Sequence, residues 1–68
     1  MIELLVSSEI YSDESIQRAI LAYKDYAKIR VSRKEKYMLL RFSNCKYNER
    51  ETALAFENYM IGVENSRT

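Results

Sequence analysis

The chain contains no His, no Pro, no Trp, one Gly and one Cys in 68 residues, and each absence excludes a class of chemistry. Without His there is no imidazole to act as a base near neutral pH, and the commonest metal ligand is missing. A lone Cys45 forms no intrachain disulfide and no CxxC redox pair. The single Gly62, late in the chain, leaves no Gly-rich loop to cradle a phosphate. A nucleophile activated by a neighbouring base is not written anywhere in the sequence. These gaps favour a protein that binds over one that catalyses, with no cofactor and no metal.

What is present is a globular composition. Hydrophobic residues make up 47% and charged residues 31%, which separates the chain from a disordered one. The expected unit is one domain spanning residues 1–68. A domain this small buries only about 60% of its unfolded surface, and its core supplies about 3–5 kcal/mol. Disulfide and zinc being excluded, a partner or a second copy is the expected further support. From the opening Met1-Ile2-Glu3 no secretory leader is expected, and no apolar run approaches a membrane span. With one unpaired thiol, the expected location is cytoplasmic, away from membranes.

Charge is unevenly spread. Lys28, Arg30, Arg33, Lys34, Lys36, Arg41 and Lys46 face only Glu35 between positions 28 and 46, a local charge of +6, while the rest carries −5. Such a segment suits an acidic protein or peptide surface, or a simple solvated hairpin.

Hydrophobic periodicity divides the chain into five elements. Ile2, Leu4, Val6, Ser8 and Ile10 alternate with Glu3, Leu5, Ser7 and Glu9, the pattern of a half-buried strand. At Ser12 the period changes: Ser12 is a good N-cap, Asp13 and Glu14 favour the first turn, and Tyr11 with Ile16 has staple spacing. Ile16, Ala19, Ile20, Tyr23 and Ala27 then form a helical stripe. Period two returns at Lys28, with Ile29 and Val31 inward, and again from Tyr37 to Ser43, with Met38, Leu40 and Phe42 inward. The intervening Arg33-Lys34-Glu35-Lys36 has no Gly or Asn, so a turn longer than two residues is expected. Asn48 and Glu51 resemble a capping box before a helix striped by Ala53, Phe56, Tyr59, Met60 and Val63, with Gly62 ending it or lying in a frayed last turn.

The order β-α-β-β-α predicts an α+β fold. A right-handed crossover and a hairpin place the third strand beside the first, in a three-stranded sheet with two helices packed on one face. This is a ferredoxin-like arrangement lacking the last strand. The expected core is Leu4, Val6, Ile16, Ile20, Tyr23, Ile29, Val31, Met38, Leu40, Phe42, Phe56 and Met60.

That layout leaves the first strand with an unpaired edge and the second sheet face uncovered. Glu3, Leu5 and Ser7, Lys28 and Arg30, and Tyr37, Leu39 and Arg41 would share the uncovered face. A wet sheet face with scattered apolar residues accounts for part of this. A contiguous apolar patch rimmed by Arg instead marks a binding surface, and Leu5, Arg30, Tyr37, Leu39 and Arg41 are its candidate residues. RNA stacking ranks behind, because Tyr37 stands almost alone there and no RNP-like run is present. Leu21, Leu54 and Ile61 fall off the helical stripes, as scattered surface residues or a helical contact. Cys45, flanked by Lys46, would have a somewhat lowered pKa, but no base accompanies it.

A strand followed by Ile10-Tyr11-Ser12, then Glu14-Ser15-Ile16 and Ala19 leading to Tyr23, then two strands and a last helix with Glu51, Ala55-Phe56, Asn58 and Met60, resembles the small D-type accessory protein of the His-Xaa-Ser peptide-modification system. Those systems pair radical SAM proteins with a repeat peptide. The resemblance transfers no catalytic residue and implies a non-enzymatic helper that presents or docks a peptide. The reading of the residues is therefore a small interaction module for a protein or peptide partner. Its rivals are a structural homodimer and a small RNA-binding domain using residues 28–46.

Overall fold

The computed structural model describes residues 2–66. The elements are β1 (Ile2–Ser7), α1 (Asp13–Ala22), β2 (Lys28–Arg33), β3 (Tyr37–Ser43) and α2 (Glu49–Asn65). The sheet order is β1-β3-β2, and β3 is antiparallel to both neighbours. β1 and β2 therefore run parallel on either side of β3, joined by the α1 crossover, as the ferredoxin-like reading requires.

Local chemistry sets most boundaries. Ser12 caps α1, its side chain accepting from the Ser15 N–H at 3.2 Å. Asn48 caps α2 in the same way, Oδ1 accepting from Glu51 N–H at 3.1 Å. The β2–β3 loop holds three residues, 34–36, and is closed by Lys34 N–H on Tyr37 O at 2.8 Å. β3 ends at Asn44, whose φ of 51° lies in the left-handed region that Asn tolerates. Gly62 lies inside α2 and does not end it.

Three readings are corrected. β1 stops at Ser7 because the Ser7 carbonyl accepts from Ile10 and Tyr11 at 3.2 and 3.0 Å, turning the chain and leaving Ile10 exposed. The α1 stripe suggested a helix as far as Ala27, but α1 ends at Ala22. Ten residues make a helix about 15 Å long, which a six-residue strand of about 20 Å spans. Continuing to Ala27 would leave no chain to return to Lys28. Residues 23–26 form turns instead, and Ala27 is still delivered to the core.

The third correction is Val31, which is 36% exposed although its face is the inner one. β2 is an edge strand, and α2 lies over β1 and β3 instead. The buried core is Val6, Ile16, Ala19, Ala27, Met38, Leu40, Phe42, Ala53, Phe56 and Met60. Leu4, Ile20, Tyr23 and Ile29 pack at its margin. Tyr59, on the α2 stripe, is 44% exposed, with its ring edge-on to Tyr23.

The two helices are also tied by a carboxylate. Glu64 in the last turn of α2 accepts from the Ser12 backbone N–H at 2.9 Å and from the fully buried Ser15 hydroxyl at 2.8 Å. The N-terminus of α1 favours that negative charge, which offsets its poor position at the C-terminal end of α2.

Candidate functional site: the uncovered sheet face and the β1 edge

All the core side chains of β3 point to the helical side, so its odd-numbered residues face away from both helices. The strand register arranges that face in rows. Lys28 lies opposite Ser43; Arg30 lies opposite Arg41, which lies opposite Glu3. Ser32 and Leu5 flank Leu39, and Ser7 lies opposite Tyr37. The five residues read from sequence as a surface are thus brought together on one face. Leu5 is 59% and Tyr37 49% exposed, Leu39 is half-buried, and Arg30 and Arg41 are exposed.

Leu5 and Leu39 form a cross-strand apolar pair in the middle of the face. Arg41 Nε donates to the Glu3 carboxylate at 2.8 Å on one side of it. Lys28, Arg30, Arg41, Ser43 and Asn44 line a depression of about 250 Å³ towards the end where β2 begins. Tyr37 makes no ring contact among the described residues, so stacking on this face rests on one aromatic.

The β1 edge borders this face. Ser8 N–H donates to Lys36 O at 3.0 Å on the β3 side. Backbone groups alternate along a strand, so those of Ser8, Val6 and Leu4 point to β3 and those of Glu3, Leu5 and Ser7 point outward. Among the described residues no strand pairs with that edge. The two sheet edges differ in side chains. β2 carries Lys28, Arg30 and Arg33, the kind of charge that discourages strand addition. β1 carries only Glu3, which is held in the ion pair with Arg41.

A second cluster was not read from the sequence. Tyr23, Tyr26, Tyr47, Tyr59 and Phe56 form a connected set of ring contacts that ends on Phe42 in the core, with centroids 5.2–6.1 Å apart. Lys46 Nζ sits 5.8 Å from the Tyr47 ring. Burial raises the Tyr23 phenol above its ordinary pKa, and the neighbouring Tyr26 and Tyr59 add to this. The signal was unreadable because the tyrosines come from α2, the turn at residues 23–26 and the loop before α2, with no shared period. Leu21, Leu54 and Ile61 are exposed on their helices.

Cys45 is half-buried, and its thiol pKa moves opposite to the sequence reading. Burial pushes it up, and the negative charge of Glu49 pushes further in the same direction. The flanking Lys46 amide is instead bound to Tyr26 O at 2.7 Å. A thiol held protonated is a poor nucleophile. Among the described residues no group of His, Cys, Asp and Glu is placed to hold a metal, and no helix is long and apolar enough to cross a membrane. No family model, curated protein or solved structure matches the chain.

Proposed function

We propose that this protein is a non-catalytic interaction module that takes an extended segment of a peptide or partner protein as an added strand on β1. The observation that carries this is the unpaired, uncharged-but-for-Glu3 β1 edge lying directly beside the exposed Leu5–Leu39 pair. An added strand would gain main-chain hydrogen bonds from Glu3 and Leu5, the Ser7 carbonyl being taken by Ile10 and Tyr11, and alternate side chains would cover the leucines. The basic residues of β2 and β3 favour an acidic partner through long-range attraction. The resemblance to the D-type accessory protein extends the reading to a helper that docks a peptide for a modifying enzyme.

A second copy of the chain is the second reading, because the same edge can pair antiparallel with itself about a two-fold axis. Selection of peptides on the immobilised protein tests the first, and sedimentation of the pure protein tests the second. Selected peptides are expected to bind the wild type and to lose binding with Leu5→Lys or Leu39→Lys, while circular dichroism stays unchanged. Peptides that bind both variants as tightly as wild type would contradict the assignment. Concentration-dependent association abolished by the same substitutions would make the partner a second copy.

A further inference from the structure

The open face holds more positive charge than its own acids neutralise. Arg30 and Arg41 lie directly opposite each other on adjacent strands, and Lys28 follows two residues along, opposite Ser43. Like charges facing across strands are destabilising unless an anion lies between them. Two other arginines are matched: Arg18 pairs with Glu14 and Arg33 with Asp13. No acid pairs with Lys28 or Arg30 among the described residues. Among the described residues, Arg41 is bound only through Nε to Glu3, and its terminal amino groups make no hydrogen bond.

These three cations line the depression of about 250 Å³ together with the Ser43 hydroxyl and Asn44. Asn44, in the left-handed conformation, turns the chain out of β3 at the rim. The lining therefore consists of two guanidinium groups, an ammonium, a hydroxyl and an amide, and no carboxylate. Donors of this kind suit tetrahedral oxyanions, with guanidinium groups giving paired hydrogen bonds and the lysine a point charge.

We propose that this depression is a binding site for a phosphate monoester. Three cations less Glu3 leave two positive charges, which matches the charge of about −1.5 to −2 and the three acceptor oxygens of such a group at neutral pH. A carboxylate would neutralise only half of that. Lys28 and Arg30 reach the depression from β2, across β3 from the β1 edge, while Arg41 on β3 connects it to Glu3 of β1.

Heteronuclear NMR titration at constant ionic strength tests it, with inorganic phosphate, phosphoserine and a phosphoserine peptide as probes and chloride as the control. Saturable shifts are expected at Arg30, Arg41, Ser43 and Asn44. The double variant Lys28→Gln with Arg30→Gln should weaken binding about tenfold, as lost charged hydrogen bonds at an exposed site imply. Leu5→Lys should leave it unchanged, which separates this site from the β1 edge. Tighter binding of the peptide than of phosphoserine names a phosphorylated protein segment as the bearer, and equal binding names a small phosphorylated molecule. Shifts that are linear, reproduced by chloride, or unaffected by the double variant overturn the proposal.

Discussion

At the scale of single residues, the structure gives definite answers where the sequence offered two. Gly62 sits inside α2, its φ is not positive, and a Cβ built there meets nothing within 4 Å. Glycine therefore contributes only its entropic cost, and Gly62→Ala should stabilise by about 0.5–1 kcal/mol. Thermal melting should rise by a few degrees; an unchanged or lower midpoint would show that position 62 needs glycine after all. For Cys45 the burial and the charge of Glu49 both hold the thiol protonated. Its alkylation rate should inflect at higher pH than that of a free cysteine peptide, and Glu49→Gln should move the inflection back down. An inflection at or below the free value would restore the reading from Lys46. Neither answer was legible in sequence, because each depends on neighbours brought in by folding.

Elements were read more faithfully than residues. The strands at Lys28–Arg33 and Tyr37–Ser43 and the helix after Asn48 follow their periodicity and caps closely. α1 was misread because Ala27 continues the apolar spacing although it belongs to the returning turn. The carboxylate that joins the helices lies 52 positions from its backbone partner and leaves no local trace. Glu64→Ala should cost about 1–3 kcal/mol, since it strips the acceptor from the buried Ser15 hydroxyl. A double-mutant cycle checks it. Ser15→Ala should be less damaging in the Glu64→Ala background than in wild type, and additive effects would deny the coupling.

For the whole molecule, the layout of three strands and two helices leaves one sheet face and the β1 edge, whose sole charge is Glu3, without cover. That was legible because topology follows from element order, crossover handedness and the hairpin. The co-location of Leu5, Arg30, Tyr37, Leu39 and Arg41 was legible too, because strand alternation fixes which side chains share a face. What the sequence hid was the tyrosine series and the inclusion of Ser43 and Asn44 in the basic depression, both of which depend on loop paths. Amide hydrogen exchange across β1, with and without a selected peptide, tests strand addition most directly. In the free protein the amides of Leu4 and Val6, bonded to β3, should exchange slowly and those of Glu3 and Leu5 quickly. Bound peptide should slow Leu5 and leave α1 and α2 unchanged. Leu5 still exchanging quickly in the saturated complex, with new protection on the helices, would contradict the account.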